Sequence, residues 1–179
     1  MKVYTRKGDD GTTGLFYGGR TAKDADRPRA YGAVDEAQAA LGLVRAVCER
    51  PSELDELLVR ICHDLYVLMG ELATLPENRA KLTAGTTLVT EEMVTALEAD
   101  IDATSERFAM PTEFVIPGQN EIAARLDVAR TVVRRAERDC VVVHVDGSHV
   151  LAYLNRLSDL VWTLARWQEG DALASRSAG

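Results

Sequence analysis

The 179-residue chain has none of the features that mark a membrane-spanning or disulfide-rich secreted protein. No apolar run approaches the roughly 18 residues of a membrane span. The first residues, MKVYTRKGDDG, include no apolar signal-peptide region, and their acidic residues argue against a transit peptide. The only cysteines are Cys48, Cys62 and Cys140, with no CxxC pair, which favours buried thiols in a reducing compartment. We therefore expect a cytoplasmic protein.

Basic residues are also fewer than acidic residues. The chain has 21 Lys and Arg against 28 Asp and Glu, a formal net charge of −7. This balance argues against nonspecific nucleic-acid binding and against attachment to a membrane surface through basic residues. The exception is VVRRAERD at 132–139, which places three arginines and one glutamate within a predicted helix. Like charges on one helix repel each other unless an anion meets them, and that anion is either a side chain or a ligand.

Helical periodicity is missing from the connections 74–90 and 108–119 and from residues 1–28, which are rich in Gly, Thr and Asp and end at Pro28. Such a composition cannot hold a long helix and predicts an ordered or ligand-ordered loop segment. Residues 29–170 contain five segments with apolar residues at 3–4 spacing, and each predicts a helix. The first helix runs from 29 to a point before Pro51, the second from after Ser52 to about 72, and the third from after Thr90 to about 108. The last two run over 119–140 and 149–168. Helices of about 20 residues are about 30 Å long. The prediction is an all-α, five-helix up-and-down bundle with an N-terminal glycine-rich loop, to which the family resemblance given below assigns nucleotide binding. Only CVVVHV (140–145) resembles a strand, and residues 171–179 are expected to form a frayed tail.

The N-terminal segment has the composition of a phosphate-binding loop. Glycines let backbone N–H groups approach an anion closely, and hydroxyl and ammonium groups complete such a site. Neither the GxxxxGK(S/T) loop nor the strand–GxGxxG–helix fingerprint is present. Composition alone leaves two interpretations open, a phosphate cradle and a flexible tail.

The fourth predicted helix has a charged face. Arg130, Arg134 and Arg138 lie one turn apart, and Asp127 stands one turn before them. This pattern fits a solvated surface with intrahelical pairs. It also fits a phosphate site, because guanidinium groups bind phosphate oxygens bidentately. The fifth helix adds Asn155, which can hold a phosphate or a metal-bound water.

Four stretches resemble the PduO-type ATP:cob(I)alamin adenosyltransferases: YTRKGDDGTTGL, RAYGAVDEAQAALG, FVIPG…AR…RRAER and YLNRLSDLVWTLAR. They cover residues 4–167 in the order of that family. The resemblance implies a homotrimer of five-helix bundles with active sites between subunits. It also implies transfer of the 5′-deoxyadenosyl group of ATP to the cobalt of cob(I)alamin, with release of triphosphate. The implied partners are ATP with Mg²⁺, cob(II)alamin or cob(I)alamin, an electron donor and an adenosylcobalamin-dependent mutase.

The resemblance also assigns residues to roles. Arg134 would be the main triphosphate ligand, Asp35 would pair with Arg130 across the subunit boundary, and Phe114 would be an aromatic wedge beneath the corrin ring. The remaining nucleotide-binding positions would be Thr5, Arg6, Lys7, Gly8, Thr13, Gly14, Lys23, Arg135, Glu137, Arg138 and Asn155. Two departures from the family pattern are Gln119–Asn120 after FVIPG and the Arg6–Lys7 pair.

The implied chemistry needs no protein base, covalent nucleophile or metal-binding residue. Co(I) itself attacks C5′, so the protein must align ATP and neutralise roughly four negative charges on the leaving group. Cobalamin is expected to bind without a histidine ligand, because the DxHxxG pattern is absent and His63, His144 and His149 do not match it. A ferritin-like di-metal bundle is set aside because the chain has no ExxH. A module that binds ATP and adenosylcobalamin for delivery or sensing, without turnover, is the alternative.

Overall fold

The computed structural model of the protein describes residues 3–170 and 173–175. The five predicted helices are present as α1 (Asp26–Arg45), α2 (Glu53–Leu72), α3 (Glu91–Ser105), α4 (Glu121–Val141) and α5 (Val150–Glu169). Helix α1 packs between α2 and α4, and α5 packs between α3 and α4. The predicted all-α bundle is confirmed. No described helix is both long enough and apolar enough to cross a membrane.

The core consists of the apolar stripes that the sequence predicts. On α5 the side chains of Val150, Leu154, Leu157, Val161 and Leu164 are all almost fully buried. Their 3–4 spacing places them on one face of the helix, which packs against the equivalent stripes of the other helices. Burial of these stripes drives the assembly of the bundle.

Two capping residues define helix starts. Ser52 begins α2 as predicted, with its Oγ accepting a hydrogen bond from the Asp55 backbone N–H at 3.2 Å. Asn120 caps α4, with its Oδ1 accepting from the Ala123 N–H at 2.9 Å. The Asn120 Nδ2 also donates to the Gln168 carbonyl at 2.7 Å, which ties the start of α4 to the end of α5. The departure from the family pattern at this position thus has a structural role.

Two boundaries differ from the sequence-based expectation. Helix α1 begins at Asp26, so Pro28 lies in its first turn rather than closing the preceding loop. Proline is tolerated there because N–H groups in the first turn have no helical partner. The run at 140–145, which resembles a strand in sequence, forms no strand. Helix α4 continues to Val141, and the chain then turns through Val143 N–H to Cys140 carbonyl (3.2 Å) and His144 N–H to Val141 carbonyl (3.3 Å) hydrogen bonds.

The strands lie instead in the N-terminal segment. Strand β1 (Thr12–Gly14) pairs antiparallel with β2 (Arg20–Ala22), with Thr13 opposite Thr21. Residues 173–175 also form backbone pairing, because the Leu173 carbonyl accepts from the Ile116 N–H at 2.8 Å and the Ser175 N–H donates to the Phe114 carbonyl at 2.7 Å. This part of the tail therefore differs from the frayed segment expected for 171–179; residues 171–172 and 176–179 lie outside the described residues.

Candidate functional site

The N-terminal hairpin is braced by its own polar side chains. Arg20 donates from Nε to the Thr12 hydroxyl at 3.0 Å and from Nη2 to the Lys7 carbonyl at 2.6 Å. Asp10 accepts from both the Thr12 N–H at 2.9 Å and the Thr12 hydroxyl at 2.7 Å. These hydrogen bonds lower the pKa of the Asp10 carboxyl below its usual value. The loop before β1 is therefore folded back onto the hairpin, although none of these bonds was predicted.

Gly8 and Lys23, both predicted ATP-binding residues, lie against each other. A Cβ added to Gly8 would lie 3.1 Å from Lys23 Cε, 3.2 Å from Lys23 Nζ and 3.1 Å from the Thr12 carbonyl oxygen. A side chain at position 8 would force the lysine end or the Thr12 carbonyl to shift, so glycine favours this close approach of the ammonium group to the loop backbone. The Lys23 N–H also donates to the Gly11 carbonyl at 2.9 Å. By contrast, a Cβ on Gly14 would meet nothing within 4 Å, so packing in this chain does not require glycine there.

The other predicted loop residues are largely open to solvent. Thr5 accepts a long hydrogen bond from the Lys7 N–H, 3.4 Å, and the Arg6 guanidinium lies 5.5 Å from the centre of the Tyr4 ring. Thr13 and Gly14 form part of β1. Within the described residues, no carboxylate pairs with Arg6, Lys7 or Lys23. The loop thus presents cations that have no counter-ion among residues 3–170 and 173–175.

The hairpin is attached to the end of α2. The Phe16 N–H donates to the Ala73 carbonyl at 2.9 Å. Arg27, in the first turn of α1, donates to the Leu72 and Thr74 carbonyls at 3.1 and 2.9 Å. These carbonyls follow the last turn of α2, where no helical donor remains for them. Sequence analysis missed Arg27 because its partners are about 45 residues away.

On α4, the predicted residues have different partners. Arg135 forms an ion pair with Glu36 of α1, and Glu137 accepts a hydrogen bond from the Asn155 Nδ2 at 3.1 Å. Arg138 donates to the Arg134 carbonyl at 3.0 Å. The Arg134 side chain is exposed and forms no ion pair with any residue in 3–170 or 173–175. The structure thus brings Glu137 and Asn155 together and leaves the Arg134 guanidinium free on the surface.

Phe114 and Arg130 line one cleft of about 490 Å³. Phe114 is 85% exposed, which is unusual for a large apolar ring. The Arg130 Nε lies 3.6 Å from Asp127 Oδ1, beyond hydrogen-bond distance, and is itself buried without a hydrogen-bond partner among the described residues. Trp162 and Arg166 of α5 also line this cleft, and sequence analysis assigned no role to either of them.

Asp35 lies elsewhere, on the exposed side of α1. It lines a groove of about 400 Å³ between α1 and α2 together with Gln38, His63 and Tyr66. Within the part of the chain that the structure describes, Asp35 pairs with no cation, so it does not meet Arg130 of its own chain. The Gln38 Oε1 atom beside it is buried without a hydrogen-bond partner among the described residues.

The chain resembles proteins with this architecture over nearly its full length. A solved variant of the PduO-type ATP:corrinoid adenosyltransferase from Lactobacillus reuteri, complexed with cobalamin and ATP, matches with a TM-score of 0.87 and 29% identity, covering 98% of this chain and 97% of that one. The fold is therefore that of a PduO-type helical bundle. A family model described as cobalamin adenosyltransferase matches residues 3–168. The chain belongs to the cobalamin adenosyltransferase family.

Curated relatives agree with this assignment. The corrinoid adenosyltransferase PduO of Citrobacter freundii is 42% identical over 175 residues, which are 96% of this chain and 51% of that protein. The corrinoid adenosyltransferase of Bacillus subtilis is 40% identical over 173 residues, which are 93% of this chain and 86% of that protein. The chain thus spans about half the length of the PduO relative, and most of the length of the Bacillus protein. The resemblance drawn from the four sequence stretches is confirmed.

Proposed function

We propose that the protein transfers the 5′-deoxyadenosyl group of ATP to cob(I)alamin, in the cytoplasm, and passes adenosylcobalamin to a mutase that uses it. The observation that carries the proposal is the set of unpaired cations on the N-terminal loop and on α4, chiefly Lys7, Lys23 and Arg134. In an acidic chain, cations without counter-ions on ordered backbone are the surfaces that attract a polyanion. Membership of the cobalamin adenosyltransferase family supports the triphosphate of ATP as that polyanion.

In the proposed reaction, the electron pair of Co(I) attacks C5′ of the ribose. The C5′–O bond breaks, its electrons leave with the triphosphate oxygen, and cobalt becomes formally Co(III) in the cobalt–carbon bond. The side chains have no proton to move in this step. Their work is to align ATP and to stabilise the negative charge that develops on the leaving oxygen.

The nucleotide would be held by the loop and by α4. Lys23, fixed over Gly8, would contact the phosphates together with backbone N–H groups of residues 5–14. Arg134 would neutralise the departing triphosphate, and Asn155 would contact the nucleotide beside Glu137. Among the described residues no group of three or more His, Cys, Asp or Glu side chains is placed to hold a metal ion. Mg²⁺ would therefore be carried mainly by phosphate oxygens and water, its usual ligands beside ATP, and would add positive charge against the triphosphate.

The corrinoid would occupy the cleft of Phe114 and Arg130. An exposed phenyl ring can lie beneath the corrin without ligating cobalt, and it would exclude both water and dimethylbenzimidazole from the lower face. Loss of the lower ligand from Co(II) lowers the orbital that accepts the electron, so an external electron donor can then form Co(I). No histidine ligand is required in this proposal.

We further propose that the active unit is a homotrimer. Asp35 and Arg130 support this proposal, because their charges are opposite and Asp35 pairs with no cation among the described residues of its own chain. The Arg130 Nε has no hydrogen-bond partner there and only a 3.6 Å ion pair with Asp127. An Asp35–Arg130 pair between two copies would place the corrinoid cleft of one copy beside the α1–α2 groove of the next.

The test is an anaerobic reaction of cob(I)alamin, kept reduced by a chemical reductant, with ATP and Mg²⁺. We expect the visible spectrum to change to that of light-sensitive adenosylcobalamin, with one triphosphate released for each molecule formed. Binding of ATP and adenosylcobalamin without this conversion would instead identify a delivery or sensor module. A mixture without protein is the control for spontaneous alkylation.

A further inference from the structure

A buried charge network lies directly beneath the Phe114 cleft and has no role in the reaction as described above. Its centre is Arg166 of α5, which is only 1% exposed. The Arg166 Nη2 donates to Asp127 Oδ2 at 2.6 Å, and its Nε forms an ion pair with Glu169 Oε1 at 2.9 Å that lacks hydrogen-bond geometry. Burial of a guanidinium is costly unless carboxylates compensate it, so these two contacts fix where the Arg166 side chain can lie.

Asp127 connects this network to Arg130. One Asp127 oxygen is bonded to Arg166, whereas the other lies 3.6 Å from the Arg130 Nε, outside hydrogen-bond distance. Asp127 therefore hydrogen-bonds to Arg166 and forms only a longer ion pair with Arg130. The Arg130 guanidinium, which is one turn away on the same face of α4, remains directed at the cleft.

We propose that Arg166 is a positioning residue. By pairing with the Asp127 carboxylate, it lets the Arg130 guanidinium remain in the corrinoid cleft. This inference rests on the proposed function. Without Arg166, Asp127 would be a largely buried carboxylate with an unpaired oxygen. Arg130 is the nearest cation that can compensate it, and we expect Arg130 to be drawn out of the cleft to do so.

The charge of Glu169 does not alter this expectation. Burial raises the pKa of the Glu169 carboxyl, and Arg166 opposes that shift. Loss of Arg166 would leave Glu169 free to take up a proton. Asp127 is then the carboxylate that competes for Arg130.

The test compares Arg166→Met with the double variant Arg166→Met/Asp127→Asn. In Arg166→Met the KM for cob(I)alamin should rise about tenfold or more, while the KM for ATP stays within about twofold. Asp127→Asn in that background should return the cob(I)alamin KM to within about threefold of wild type, because the amide has no charge to attract Arg130.

Arg107→Met is the matched control. The Arg166 guanidinium lies 5.6 Å from the centre of the Trp162 ring. The Arg107 side chain likewise bonds to a carboxylate, Glu53 at 2.7 Å, and lies 4.9 Å from the centre of the Trp167 ring, but it does not line the cleft. Its cob(I)alamin KM should equal that of wild type. Arg166→Lys provides a second test if Arg166→Met does not fold. Its shorter ammonium should hold Asp127 less well and raise the cob(I)alamin KM about threefold.

The outcomes separate the two proposals. A wild-type protein that forms no adenosylcobalamin overturns the proposed function and this inference with it. Normal wild-type turnover with an unchanged cob(I)alamin KM in Arg166→Met, or in Arg166→Lys where that variant replaces it, overturns the inference alone. If Asp127→Asn does not lower the raised cob(I)alamin KM of Arg166→Met, Arg166 has a packing role, and the inference is again overturned.

Discussion

Replacement of Arg134 by alanine should separate catalysis from stability. The Arg134 side chain is exposed and forms no ion pair or hydrogen bond within the described residues; besides its helical hydrogen bonds, its backbone carbonyl accepts from Arg138. The substitution therefore removes no side-chain contact that stabilises the fold. Alanine is also the best helix former, so we expect the free energy of unfolding to change by less than about 0.5 kcal/mol.

The effect on activity should be much larger. Loss of one preorganised charge that faces developing negative charge costs about 3 kcal/mol of transition-state stabilisation. At 1.36 kcal/mol for each factor of ten, kcat/KM should fall roughly 150-fold. Because the triphosphate gains charge as the C5′–O bond breaks, we expect most of this loss in kcat rather than in the KM for ATP.

The assay is anaerobic conversion of cob(I)alamin to adenosylcobalamin, combined with urea unfolding of the same samples. Arg50→Ala is the matched control, because Arg50 is also exposed and free of ion pairs among the described residues but lies in the α1–α2 connection. Near-normal turnover in Arg134→Ala would refute the triphosphate assignment. Destabilisation by more than about 1 kcal/mol would refute the conclusion that its side chain makes no stabilising contact.

Three further outcomes follow from burial and contacts. Phe114→Ala should leave ATP affinity and stability unchanged but slow adenosylation that starts from Co(II), and an equal loss of ATP affinity would argue against the wedge role. Glu71→Ala should lower the free energy of unfolding in urea by about 3–5 kcal/mol, because its buried carboxylate loses three hydrogen bonds. The donors are Arg79 at 2.6 Å, Ser148 at 2.6 Å and the Val89 N–H at 2.7 Å. A change below about 1 kcal/mol would contradict this. Burial raises the pKa of the Cys140 thiol to about 12, so between pH 7 and about 9 alkylation should occur only after denaturation, and rapid labelling of the native protein would show that the thiol is accessible.

The helices could be predicted because their signals are local. Apolar residues at helical spacing identified all five, and the Ser52 side chain marked the start of α2. Where local signals were ambiguous, the prediction failed. Pro28 was interpreted as a boundary although proline is also compatible with a first turn, and the apolar run at 140–145 fits the end of a buried helix as well as a strand.

The site was predictable only along single elements and through family resemblance. Helical spacing placed Arg130 and Arg134 on one face, but it could not show which carboxylates on other helices compete for them. The Asp127–Arg166 contact joins residues 39 positions apart, and Arg166 looked like a basic residue at the end of a helix. Pairing between 114–116 and 173–175 is similarly distant in sequence, so no local pattern indicates it.

Helix α5 binds the carboxylates on α4 that would otherwise pair with the α4 arginines. Each arginine has a carboxylate one turn away on its own helix, Asp127 before Arg130 and Glu137 after Arg134. Both carboxylates are engaged by α5, because Asp127 accepts from Arg166 at 2.6 Å and Glu137 accepts from the Asn155 amide at 3.1 Å. The intrahelical pairs that would neutralise this face are therefore weakened or absent. Among the described residues, α5 thus leaves the Arg134 guanidinium without a carboxylate partner and Arg130 with only a 3.6 Å ion pair to Asp127. An anion that neutralises Arg134 must therefore come from outside the described part of the chain.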